Sequence, residues 1–68
     1  MNEERFNIDT RRFLKHFGVT AQREIEKAVA AGIADGRLKG TETLKAHAVL
    51  ELEGFGRLGQ IDGDIQLG

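Results

Sequence analysis

The chain has 68 residues and contains no cysteine, proline, tryptophan or tyrosine, and no serine either. Without cysteine, neither a disulfide nor a thiolate-bound metal can staple so short a chain. A disulfide-rich secreted scaffold and a zinc finger are therefore excluded. Without serine or cysteine, a nucleophile–histidine–carboxylate triad cannot be assembled. Threonine nucleophiles use a free amino-terminal threonine. This chain begins with Met1, and Thr10, Thr20, Thr41 and Thr43 are expected at helix or strand starts. No apolar run approaches the ~18 residues of a membrane span. Met1-Asn2-Glu3-Glu4 also lacks the basic and apolar regions of a signal peptide. The expectation is a cytoplasmic protein with no membrane segment.

Hydrophobic residues at 40% and charged residues at 31% describe an ordinary soluble globular chain. A chain of this size buries only about 60% of its unfolded surface, so its core is marginal. Its charge is uneven. Residues 1–40 hold eight basic and six acidic residues, a net of +2, and residues 41–68 hold two and five, a net of −3; together they give −1. A +2 excess is small beside the basic stripe of a typical nucleic-acid-binding domain.

Phe6, Thr10, Phe13, Leu14 and Phe17 recur at the spacing of one helix face. They predict a helix over residues 3–17, with Gly18 at the position that favours a left-handed backbone end. Thr20 is a candidate cap for a second helix over residues 20–36. The face of that helix carries Ala21, Ile25, Ala28, Val29, Gly32, Ile33 and Gly36, with stops at Asp35-Gly36 or Lys39-Gly40.

From Thr43 the period changes to two. Leu44, Ala46, Ala48, Leu50 and Leu52 alternate with Lys45, His47, Val49, Glu51 and Glu53, predicting a strand over residues 43–53. Gly54-Phe55-Gly56-Arg57-Leu58-Gly59 predicts a hairpin loop. Ile61, Gly63, Ile65 and Leu67 then mark a second strand over residues 60–67. Pairing Glu53 with Gln60 places Leu52 opposite Ile61 and Leu50 opposite Gly63, large against small. A slip by two residues would keep each side chain on its face.

The expected fold class is α+β, one domain over residues 1–68, with two helices packed on an antiparallel hairpin in two layers. The last strand leaves an open edge, which invites pairing with a second copy. Phe55 and Leu58, apolar residues in the loop, are candidates to seal such a contact. A homodimer through the hairpin edge is thus the expected self-association.

Candidate chemistry is sparse. His16 and His47 are the only imidazoles, and neither has a second histidine four residues away. The best metal constellation is His47 with Glu51 and Asp62 on one sheet face, and exposed histidines beside carboxylates are common. Glu51, Glu53, Asp62 and Asp64 form a candidate docking surface for a basic partner, or an acidic edge that resists aggregation. Asp62-Gly63-Asp64 lacks the later glutamate of a calcium loop. Lys39-Gly40-Thr41 reverses the order of a phosphate-binding loop. Gly54, Gly56 and Gly59 match the spacing of a dinucleotide fingerprint, but they lie between two strands rather than before a helix. No cofactor and no metal are expected, and no enzyme activity.

The alternative is nucleic acid. A helix opened by Thr20, then Gly36-Arg37-Leu38-Lys39-Gly40, then a hairpin, resembles the second half of a winged-helix domain. That resemblance implies DNA contacts from Arg23, Lys27, Arg37 and Lys39, with Arg11, Arg12 and Lys15 on phosphates. Three departures weigh against it: two helices instead of three, an acidic wing, and Glu24 and Glu26 on the helix meant to enter the groove.

The run Phe13-Leu14-Lys15-His16-Phe17-Gly18-Val19-Thr20 continues through Gln22-Arg23-Glu24-Ile25-Glu26-Lys27-Ala28-Val29 to Gly36-Arg37-Leu38-Lys39-Gly40. With Glu42-Thr43-Leu44-Lys45-Ala46, it resembles a family of small uncharacterised bacterial proteins of about this length. The resemblance implies a free-standing bacterial protein and brings no activity, ligand or site residue. The expected role is a small, self-associating interaction module with an unidentified protein partner. A winged-helix-like nucleic-acid binder is the alternative.

Overall fold

The computed structural model describes all 68 residues. It is α+β: helix α1 (Glu3–Ala34) is followed by strands β1 (Thr43–Leu52) and β2 (Gly56–Gln66). The chain divides into two compact units, Met1–Arg37 and Leu38–Gly68. The first is the helix with its ends, and the second is the hairpin with the loop that leads into it.

The two helices expected over residues 3–17 and 20–36 are one helix of 32 residues. Gly18 does not end the first, and Thr20 lies inside α1 rather than capping a second. The reason is phase. Phe17, Ala21 and Ile25 follow one another every four residues, so the apolar stripe crosses Gly18 without a break. Glycine inside a helix costs about 1 kcal/mol relative to alanine, too little to stop a helix that has no proline. Gly18 is not among the positive-φ glycines, which are Gly36, Gly40, Gly54 and Gly56.

True ends lie elsewhere. Asn2 is the N-cap, its side-chain oxygen accepting the Arg5 N–H at 3.0 Å. Glu3 and Glu4 then place negative charge in the first turn, where the helix dipole favours it. At the other end the Asp35 N–H donates to the Ala31 carbonyl at 3.0 Å, and Gly36 takes φ 85°. The Arg37 guanidinium Nε lies 2.8 Å from the Asp35 carboxylate, offsetting a negative charge at the negative end of the helix.

The hairpin keeps the expected faces but not the expected register. Thr43 pairs with Gln66, Ala48 with Ile61, and Leu50 with Gly59; beyond an irregularity at Leu50/Glu51, Leu52 pairs with Gly56. Leu52 is therefore opposite Gly56 instead of Ile61, and Ala46 opposite Gly63 instead of Leu67. From Thr43 to Leu50 the shift is four residues, an even number that leaves each side chain on its face, and at Leu52 the irregularity makes it five. Two causes combine. The turn is tighter than a Gly54–Gly59 loop: the Phe55 N–H closes on the Leu52 carbonyl at 2.9 Å, with Gly54 at φ 86° and Gly56 at φ 74°. The shift also separates Glu51 from Asp62, a like-charge pair in the expected register. Glu51 now faces Arg57, His47 faces Asp62, and Lys45 faces Asp64.

No apolar side chain is buried in either unit, and the one buried residue is Gly32. Along α1, Phe6 is 55% exposed, Phe13 54% and Phe17 47%. On β1 the alternate residues Leu44, Ala46, Ala48 and Leu50 are half-buried while their neighbours are exposed.

The uninterrupted helix predicts the sign of one substitution. An alanine Cβ at Gly18 meets nothing within 4 Å, so Gly18→Ala should stabilise α1 by about 1 kcal/mol. Circular dichroism would read this as a higher melting midpoint. A lower midpoint would show that Gly18 ends a helix in a left-handed conformation, where alanine is strained.

Candidate functional site

Seven basic residues were the candidate nucleic-acid contacts, and a continuous helix spreads them out. Arg11, Arg12 and Lys15 lie in the first half of α1 and Arg23 and Lys27 in the second, all exposed. Arg11 and Lys27 are about 24 Å apart along the axis at 1.5 Å per residue. Arg12, Arg23 and Lys27 share one line of the helix, whereas Arg11 and Lys15 lie toward its other side. Several have acidic neighbours on the same element: Arg12 is 3.7 Å from Asp9 and Lys27 is 3.7 Å from Glu24. Arg37 is held on Asp35 through both carboxylate oxygens, at 3.0 and 2.8 Å. The separate helix opened by Thr20, which the winged-helix resemblance would place in the groove, does not form, because Thr20 lies inside α1.

Two of the four acidic candidates have side-chain partners. Asp64 lies 3.5 Å from the Lys45 ammonium. Asp62 accepts from the His47 ring at 2.7 Å and from the Gln60 amide at 2.8 Å. Glu51 stands opposite Arg57, and Glu53 belongs to the turn beside Phe55. Phe55 is 77% exposed at the turn; Leu58, 50% exposed, falls at the register irregularity in β2. Of the His47, Glu51 and Asp62 constellation, only His47 and Asp62 meet. No three His, Cys, Asp or Glu side chains are grouped as a metal site requires.

Gln60 links this face together. Its amide nitrogen donates to Asp62 and its oxygen accepts from Arg57 at 2.7 Å. The resulting row, Arg57–Gln60–Asp62–His47, crosses both strands. An ionised carboxylate only accepts hydrogen bonds, so the His47 ring carries a proton on Nδ1. The Gln60 and His47 hydrogen bonds, in that order, and the His47 charge hold the Asp62 carboxyl below the usual aspartate range. This pair aligns an imidazole on a carboxylate, yet both are more than half exposed and no nucleophile stands beside them. As chemistry it amounts to a cross-strand tie.

Glu42 was not among the candidate residues, and it makes the densest set of polar contacts in the chain. Its carboxylate accepts the Lys39 N–H at 2.8 Å, the Gly40 N–H at 2.9 Å and the Thr41 N–H at 3.2 Å. Gly40, at φ 98°, turns these three donors toward one point. The Glu42 carbonyl also accepts the Leu67 N–H at 2.8 Å, extending the strand pairing by one rung. The bond from Lys39 leads the backbone contacts that hold the Glu42 carboxyl below the usual glutamate range. The loop Lys39-Gly40-Thr41 thus does cradle an anion, and that anion is the chain's own glutamate. A glutamate two residues after a glycine was the available signal.

Glu42 and Asp62 both titrate lower in the folded chain than in the unfolded one. Their contribution is present above the unfolded range and is lost as pH falls through the folded values. The hairpin's melting midpoint should hold steady from neutrality down to the ordinary carboxylate range and drop below it. Glu42→Gln should lower the midpoint at neutral pH and flatten the acid limb. Identical pH profiles for the variant and the parent chain would contradict the role given to Glu42.

No helix is long and apolar enough to cross a membrane. Comparison with curated proteins and with solved structures gives no match. The model of a family of unknown function, DUF6494, matches residues 1–68. This agrees with the resemblance carried by the central run from Phe13 to Gly40. The chain belongs, over its whole length, to the family of unknown function DUF6494.

Proposed function

We propose that this protein is a small non-enzymatic interaction module that works by self-association. The observation that carries the proposal is the exposure of the α1 stripe. Phe6, Phe13, Leu14, Phe17 and Ile25 lie toward one side of a helix with no buried apolar side chain. Covering a side chain of this size is worth about 1.5–3 kcal/mol. An exposed stripe of this kind is a binding surface. The hairpin supplies a second set of contacts. Its sheet has only two strands, so both carry an unpaired edge. Phe55 and Leu58 lie at and beside its turn.

Chemistry supports the non-enzymatic part. Serine, cysteine and tyrosine are absent, and both histidines are on exposed positions. The nucleic-acid alternative loses the separate helix opened by Thr20, since Thr20 lies inside α1.

Sedimentation across micromolar to millimolar concentrations tests this directly. The expected result is a mass that rises above the 7.5 kDa of one chain as concentration increases. Phe13→Ala should weaken the association about tenfold or more, since 1.4 kcal/mol is a factor of ten. A concentration-independent monomer would overturn the proposal. A short mixed-sequence DNA duplex added at low salt should leave the Arg11, Arg12, Lys15, Arg23 and Lys27 amides unshifted. Salt-sensitive shifts clustered on them would favour the nucleic-acid alternative.

A further inference from the structure

We infer that the free edge of β1 meets β1 of a second copy, strand against strand, antiparallel and centred on Ala48. The inference rests on the self-association proposed above and names its edge and register.

β1 has a single strand neighbour, β2. The Leu67 N–H donates to the Glu42 carbonyl, and along an antiparallel strand the hydrogen-bonding groups point alternately to one side and the other. In the observed register Leu44, Ala46 and Ala48 therefore bond to β2, while Lys45, His47 and Val49 turn their N–H and C=O groups to the open side. Such an open row is a template for another strand. A second β1 laid antiparallel about Ala48 satisfies it. His47 then exchanges both bonds with Val49 of the second copy, and Lys45 does so with Glu51 of the second copy. With the twofold repeat, about eight interchain backbone hydrogen bonds form.

Charge identifies the occupant as a second copy of this chain and fixes the register. On the exposed face the Lys45 ammonium lies 3.5 Å from Asp64, and Glu51 stands opposite Arg57. Across the four joined strands one row reads Asp64, Lys45, then Glu51 and Arg57 of the second copy, alternating in sign throughout. Twofold symmetry writes the same row again. Val49, 53% exposed, is the apolar exception among Lys45, His47 and Glu51 on this face. Here it lies against the imidazole of His47 of the second copy, a β-branched side chain beside an aromatic one. On the other face Leu50 lies opposite Ala46 of the second copy, and Ala48 opposite its own counterpart.

Other pairings lose this match. An axis at His47 sets the two imidazoles against each other and leaves Lys45 opposite Val49. An axis at Val49 puts Lys45 opposite Glu53, which lies beyond the end of β1. A parallel pair in register would set lysine beside lysine. β2 offers no equivalent edge, because its only charges from Gly59 to Gln66 are Asp62 and Asp64, so two such edges would bring carboxylates together.

A crosslink and a mutant cycle test the pairing. In this otherwise cysteine-free chain, Ala48→Cys should form an interchain disulfide on mild oxidation. Its Cα atoms would lie about 4.5 Å apart across the axis, within the reach of a disulfide. Ala46→Cys, whose Cα atoms would be about 14 Å apart along the strands, should not. Lys45→Gln should weaken the dimer about five-fold, since it removes two cross-strand charge pairs, and Glu51→Gln should do the same. Both substitutions together should weaken it no further than either alone, because each removes the same pairs. Equal crosslinking at Ala46 and Ala48, or losses that multiply in the double variant, would overturn the inference while leaving self-association standing. A monomer at every concentration would overturn both the inference and the proposed function.

Discussion

An apolar stripe that runs unbroken along 32 residues of helix governs what this chain is able to do. The continuity has a simple origin, since nothing between Phe17 and Ala21 shifts the phase and no proline interrupts the backbone. Helices gain most of their stability from packing an amphipathic face, rather than from intrinsic propensity. Here three phenylalanines on that face remain about half exposed. A single chain this short has little apolar surface with which to pack them. Association with a second copy, as proposed above, is the arrangement that would cover them.

The hairpin is organised by polar contacts instead. Its exposed face pairs Lys45 with Asp64, His47 with Asp62 and Glu51 with Arg57 across the strands. Such pairs contribute little individually, but they differ in sign between registers. Together with the tight Gly54–Gly56 turn, they select the alignment. At the open end, Glu42 gathers three backbone N–H groups and hands its carbonyl to Leu67. One residue therefore closes both the entry loop and the last rung of the ladder. The consequence for function is negative and useful. Two of the four acidic residues offered for a basic partner, Asp62 and Asp64, are engaged within the hairpin itself.

Element types and faces were legible in the sequence, because periods of 3.6 and 2 are written directly in the apolar positions. The α+β class, the strand start at Thr43 and the half-buried face of Leu44, Ala46, Ala48 and Leu50 all followed from that. Helix number was not legible in the same way. Gly18 and Thr20 look like a stop and a start, and local end signals say nothing of whether the stripe keeps phase across them. The register was missed for a related reason. Large-against-small pairing is satisfied equally by several even shifts, whereas charge pairing on the opposite face is not. Glu42 was overlooked because a carboxylate that folds back on its own loop follows no motif spacing. Family membership spans the whole chain, and it brings no function with it.

The most direct test of the central claim is amide hydrogen exchange followed residue by residue as concentration rises. If the α1 stripe is the surface that meets a second copy, protection should climb with concentration along the helix. The rise should pass without a gap through Gly18, Val19 and Thr20. Helix protection that is independent of concentration, or that breaks at Gly18, would contradict the account.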